Sequence, residues 1–121
     1  MAHILVVDDD GALRRVLRKH LETEGHQVRE APNGDAALEL MRTDTPDLVI
    51  TDAYMPGMDG IEFTIRVRQQ GINANIVAIS GGGFREGVEV LEQAKSLGAI
   101  RALAKPFTRE ELLEAVSAGL A

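Results

Sequence analysis

The sequence predicts an α/β domain built on a five-stranded parallel sheet with helices on both faces. Short, continuous apolar runs rich in branched residues, segments of helical periodicity between them, and regular alternation of the two along the chain all point to it. Runs of this kind suit strands covered on both sides. Parallel neighbours also need a crossover, which the intervening helices supply in the right-handed sense.

The first run, Ile4-Leu5-Val6-Val7, opens near residue 3 and is too short for a helix. Leu13, Val16, Leu17, His20 and Leu21 then fall on one helical face, and Gly25 ends that helix. A weaker strand follows from Gln27 to Glu30. Asn33 is placed to cap the next helix, whose stripe is Ala36, Ala37, Leu40 and Met41 and which Thr45-Pro46 closes. Leu48-Val49-Ile50 is the third strand, and Gly60 to Gln70 a less regular helix. Ile76-Val77-Ala78-Ile79 is the fourth strand. Val88, Leu91, Ala94 and Leu97 form another stripe, ended by Gly98. A weak fifth strand runs from Arg101 to Ala104. The last helix opens on the capping box Thr108-Arg109-Glu110-Glu111 and is expected to bury Leu112, Leu113, Val116 and Leu120.

With 121 residues, the chain has room for one domain at roughly 100–200 residues each, so residues 1–121 are read as a single unit. Thirteen Lys and Arg against 19 Asp and Glu give a net charge of −6, which argues against capture of nucleic acid or anionic membrane by bulk charge. The absence of cysteine excludes disulfides, thiolate metal sites and thiol nucleophiles, leaving oxygen and nitrogen groups to carry any chemistry. No apolar run approaches the about 18 residues of a membrane span, and no signal pattern opens the chain, so a cytoplasmic protein is expected.

The polar residues just past the strands suggest a site. Strand one runs into Asp8-Asp9-Asp10, strand three into Asp52, strand four into Ser80 and strand five into Lys105. In open parallel sheets, ligands bind beyond the carboxyl ends of the strands, where the strand order reverses. Clustered carboxylates repel by about 4 kcal/mol for a pair at about 4 Å and an effective dielectric near 20, so a cation must neutralise them. Mg²⁺, which takes few protein carboxylates and prefers to complete its shell with water and phosphate oxygens, suits so small an oxygen set. The spacing fails as a calcium-binding helix-loop-helix, and Ser80-Gly81-Gly82-Gly83 fails as a dinucleotide fingerprint because Glu86 takes the third glycine position. With a metal balancing charge, one carboxylate can act as a nucleophile on a phosphoryl group. Asp52, alone on its strand, is favoured over the adjacent Asp8 and Asp9. Lys105 and the Ser80 hydroxyl then supply positive charge and a hydrogen bond to the phosphoryl oxygens.

Val6-Val7-Asp8-Asp9, Thr51-Asp52 followed by Met55-Pro56-Gly57-Met58-Asp59-Gly60, Ser80 after an apolar strand, and Lys105-Pro106-Phe107 together resemble the receiver domain of two-component response regulators. Periodicity leaves the strand order open; the resemblance implies 2-1-3-4-5, doubly wound with five helices in the flavodoxin-like, CheY-like manner. It further implies that Asp52 accepts phosphate from a phosphohistidine on a sensor histidine kinase or phosphotransfer protein. Asp8, Asp9, Asp52 and the backbone carbonyl of Tyr54 would gather around Mg²⁺, and Ser80 and Lys105 would sense the phosphate. The bond before Pro106 would be cis. The output would be a changed surface for a downstream effector protein, with homodimerisation on phosphorylation as one form of it.

Three positions depart from the family pattern. Ala102 stands where many receivers carry a Tyr or Phe that reports phosphorylation. The glycines after Ser80 open a connection that looks longer than usual, and Tyr54 occupies a position that tunes hydrolysis of the acyl phosphate. Two other readings compete. A metal-dependent phosphohydrolase of the haloacid-dehalogenase type would place a second Asp where Tyr54 stands and would need a substrate-selecting cap. An unphosphorylated interaction module would not need the site residues, all of which are present.

Overall fold

In the computed structural model, which describes residues 2–53, 57–80 and 101–121, the strands β1 (His3–Val7), β2 (Gln27–Ala31), β3 (Leu48–Asp52), β4 (Asn75–Ser80) and β5 (Arg101–Ala104) form one sheet. Their order is β2-β1-β3-β4-β5, and every pair is parallel. The described helices are α1 (Gly11–Thr23), α2 (Gly34–Thr43), α3 (Gly60–Gln69) and α4 (Arg109–Leu120). The stripe Val88, Leu91, Ala94 and Leu97, and the glycines 81–83, lie outside the described residues.

The continuous apolar runs follow from burial on both faces of the sheet. Alternate residues of each central strand point to opposite sides. Leu5, Val7, Val49, Ile76 and Ala78 pack with Ala37, Leu38 and Met41 of α2 and with Phe63 and Val67 of α3. Ile4, Val6, Leu48, Ile50, Val77 and Ile79 pack with Leu17 and Leu21 of α1 and with Leu112, Ala115 and Val116 of α4. No position on β1 after His3 or on β3 is left for a polar outward face, so no period of two survives in the sequence.

The helix ends obey the local signals. Gly25 takes φ +89°, a left-handed conformation that glycine adopts without steric penalty, and its N–H donates to the Glu22 carbonyl at 3.0 Å. Asn33 Oδ1 accepts from Ala36 N–H at 2.8 Å. At the start of α4, Thr108 Oγ1 accepts from Glu111 N–H and Glu111 Oε1 accepts from Thr108 N–H, both at 3.1 Å. Thr108→Ala is expected to lower stability by about 1 kcal/mol, read as a lower urea midpoint at unchanged slope.

Two helical stripes differ from expectation. Val16 is 50% exposed although its stripe-mates Leu17 and Leu21 are fully buried, because the sheet covers less of α1 than the apolar arc spans. On α4, Ala115 and Gly119 are buried while Leu113 and Leu120 are only partly so. The small residues let the helix approach the sheet closely: a Cβ on Gly119 would meet Leu48 Cδ1 at 2.7 Å. None of the described helices is long and apolar enough to cross a membrane.

Register sets the position of the site. Val7 pairs with Thr51, Asp52 with Ile79, and Ser80 with Ala104, so β1, β3, β4 and β5 end on one edge. The chain turns outward from β1 to β2 on one side and from β3 to β4 and β5 on the other, which opens a crevice between the ends of β1 and β3.

Candidate functional site

Asp8 follows β1 directly, Asp52 ends β3, and Lys105 follows β5. Each of Asp8, Asp9 and Asp52 offers a carboxylate oxygen, and these oxygens lie within 4.8 Å of one another. Asp8 and Asp52 are buried, at 1% and 6% exposure, while Asp9 is exposed. Lys105 Nζ stands 3.4 Å from Asp52 Oδ2 and 3.8 Å from Asp8 Oδ2, bridging the two buried acids. The Lys105–Pro106 bond is cis, as the resemblance implied.

Asp8 is the most deeply buried member of the set. Its Oδ1 accepts from Asp10 N–H at 2.9 Å, but among the described residues its buried Oδ2 has no hydrogen-bond partner. Burial, reinforced by the charges of Asp52 and Asp9, pushes the Asp8 carboxyl up to about 6, against the opposing pull of the Asp10 N–H and Lys105. A buried oxygen without a donor, beside two further carboxylates, fits a hard divalent cation. Among the described residues, Asp8, Asp9 and Asp52 are the group that can hold one.

The backbone that carries these groups is built locally. Asp10, which the sequence placed among the acids, has a structural duty instead. It is the N-cap of α1, and its Oδ1 accepts from Ala12 N–H at 3.0 Å and Leu13 N–H at 3.2 Å. An Asp directly before a helix is a standard capping signal, so this role was readable. On the other side, Gly60 N–H donates to the Ala53 carbonyl at 3.0 Å, which brings the start of α3 against the end of β3. A Cβ on Gly60 would lie 2.4 Å from the Asp52 carbonyl oxygen.

Ser80 is the last residue of β4, in register with Ala104 one position before Lys105. Tyr54 and its carbonyl lie outside the described residues, as do Phe84 and Arg85. Ala102 is partly exposed on β5 and lines a shallow cavity of about 180 Å³ with Glu111, Glu114 and Ala115, none of these described residues being aromatic. His3 starts β1, His20 lies on α1, and His26 sits in the turn before β2, where Nδ1 accepts from Ala2 N–H at 3.2 Å. Phe63 is a core residue and Phe107 packs against the α1 and α4 side.

Comparison with known proteins agrees with this arrangement. The family model described as the response regulator receiver domain matches residues 4–117. Sporulation initiation phosphotransferase F of Bacillus subtilis (strain 168) is 36% identical over 113 residues, covering 93% of this chain and 89% of that protein. Response regulator MprA of Mycolicibacterium vanbaalenii is 40% identical over 110 residues, covering 91% of this chain but only 46% of that protein, so the chain spans about half of MprA. The crystal structure of the receiver domain of NtrX from Brucella abortus superposes with a TM-score of 0.89 at 32% identity, covering 97% of each chain. With the acidic pair after β1, the aspartate ending β3 and the lysine after β5 gathered on one sheet edge, and with the family model spanning nearly all of it, the chain belongs to the response regulator receiver domains of two-component systems.

Proposed function

We propose that residues 1–121 form one receiver domain whose Asp52 accepts a phosphoryl group from a phosphohistidine on a sensor histidine kinase or phosphotransfer protein. One observation carries the reading. Asp52 is held at the end of the central strand with a lysine ammonium 3.4 Å away, beside a buried Asp8 oxygen that finds no hydrogen-bond donor among the described residues. In the transfer, an Asp52 carboxylate oxygen forms a bond to phosphorus as the phosphorus–nitrogen bond breaks, and the imidazole keeps the electron pair and takes a proton. Asp8, Asp9 and Asp52, with the Tyr54 carbonyl, would hold Mg²⁺, which when bound offsets the negative charge of the acids and the phosphoryl oxygens. Lys105 leaves its pairing with Asp52 Oδ2 for a phosphoryl oxygen, and the Ser80 hydroxyl donates to another. These new bonds bias the segment after β4 and so change the surface offered to an effector protein, including a second copy of the chain. The reading is of a switch rather than an enzyme acting on an external substrate. It agrees with the phosphotransferase name of the Bacillus subtilis relative.

The test is incubation with Mg²⁺ and a small acyl phosphate or phosphoramidate donor, followed by intact-mass measurement. Wild type is expected to gain one phosphoryl group, and Asp52→Asn or chelator-treated wild type none. Equal labelling of Asp52→Asn overturns the assignment of the acceptor. Sustained release of phosphate over many turnovers returns the phosphohydrolase reading.

A further inference from the structure

Arg14 stands one turn into α1, and its guanidinium reaches back over the acidic loop. Nη1 donates to the backbone carbonyl of Asp8 at 2.6 Å, and Nε donates to Glu30 Oε1 at 3.1 Å. Glu30, on β2, is itself held by Arg18 Nη1 on its other oxygen at 3.2 Å. The Arg14 and Glu30 side chains are 18% and 21% exposed, so this is a largely covered clamp rather than a surface pair. Gly11 leaves it room, since a Cβ there would lie 3.3 Å from Arg14 Nη2.

The peptide unit between Asp8 and Asp9 is planar, so holding its carbonyl fixes the direction in which the chain leaves toward Asp9. Asp8 N–H donates to the Ala31 carbonyl at 3.2 Å and Asp10 N–H to Asp8 Oδ1 at 2.9 Å, which fixes the peptide units on either side. Asp9, the exposed member of the acidic trio, is thus aimed by backbone that Arg14 completes. Building on the Mg²⁺ reading above, we infer that Arg14, clamped by Glu30, is a positioning residue that presents the Asp8–Asp9 pair to a divalent cation.

Charge repulsion and positioning give Arg14 opposite effects on Mg²⁺ binding. A nearby guanidinium repels Mg²⁺, so if Arg14 acted by charge alone its removal would tighten binding. Positioning demands the opposite. Lysine keeps the charge but lacks the rigid fork that serves Asp8 and Glu30 together.

Calorimetric titration of the full chain with MgCl₂, without phosphodonor, separates the two. Arg14→Met and Arg14→Lys are each expected to weaken Mg²⁺ binding by about tenfold, the scale seen when groups that orient metal ligands are removed. Glu30→Gln keeps an acceptor for Arg14 Nε and is expected to stay near wild type, while Glu30→Ala weakens binding. Thermal unfolding in chelator checks that each variant is folded, and Arg14→Lys with Glu30→Ala carry the test should Arg14→Met fail to fold. Unchanged or tighter Mg²⁺ binding in the Arg14 variants, with wild type binding normally, overturns the inference. Failure of wild type itself to bind Mg²⁺ overturns the underlying reading, and the inference with it.

Discussion

Asp8→Asn is expected to stabilise the metal-free protein at pH 7 by about 3 kcal/mol, because the pH at which Asp8 loses its proton is raised from 3.8 to about 6 in the fold and each unit is worth about 1.36 kcal/mol. The unfolded chain releases this proton near the ordinary carboxylate value, whereas the native protein holds it to about 6. Between those values the native state binds more protons than the unfolded state, so stability falls as pH rises through the window. Above it the full penalty is present, and below it the penalty vanishes. Asparagine keeps an oxygen for Asp10 N–H and carries no charge to bury, and Lys105 retains Asp52 at 3.4 Å. Urea unfolding in chelator from pH 4 to 7.5 therefore gives curves for wild type and Asp8→Asn that coincide at the acid end and diverge upward. Added Mg²⁺ lifts wild type and leaves the variant where it was. A stability difference that does not vary with pH would show that burial of the Asp8 charge is not its source.

The same residue marks how far a sequence can be read. The strands were legible because β1 and β3 are apolar on both faces, as Leu5 and Val7 on one side and Ile4 and Val6 on the other demonstrate. Asp8, Asp52 and Lys105 were legible as a group because each lies at the carboxyl end of its strand, Asp52 as the last residue of β3 and the other two just past β1 and β5, and parallel strands place such residues on one edge. Val16 was misjudged because helical periodicity gives an angle around an axis, not the width of what covers it. Ala115 and Gly119 were missed because close packing rewards small residues that hydropathy ranks low. Arg14 was invisible for a different reason. Its partners are a backbone carbonyl six residues back and a carboxylate on β2, and a flexible side chain's destination is a property of the assembled sheet.

Gly60→Ala is expected to destabilise the fold by about 2–3 kcal/mol, and to slow phosphoryl uptake in the fraction that remains folded. Alanine is the better helix former by about 1 kcal/mol, so propensity alone predicts the reverse. Space decides the matter. The added Cβ would lie 2.4 Å from the Asp52 carbonyl oxygen, 2.8 Å from Ala53 Cα and 3.1 Å from the Asp52 carbonyl carbon. All three are backbone atoms of the β3 end, paired to β4 through Asp52↔Ile79, and none can rotate away. Either α3 withdraws and the 3.0 Å bond from Gly60 N–H to the Ala53 carbonyl is lost, or the Asp52 backbone shifts and carries its carboxylate off the Lys105 and Asp8 geometry. Gly119→Ala is the matched control, since its Cβ would meet the flexible tip of Leu48 at 2.7 Å, far from the acids. It is expected to lose less stability and to accept phosphate at the wild-type rate. If both variants lose stability equally and neither alters the rate of mass gain, close approach at Gly60 does not position Asp52.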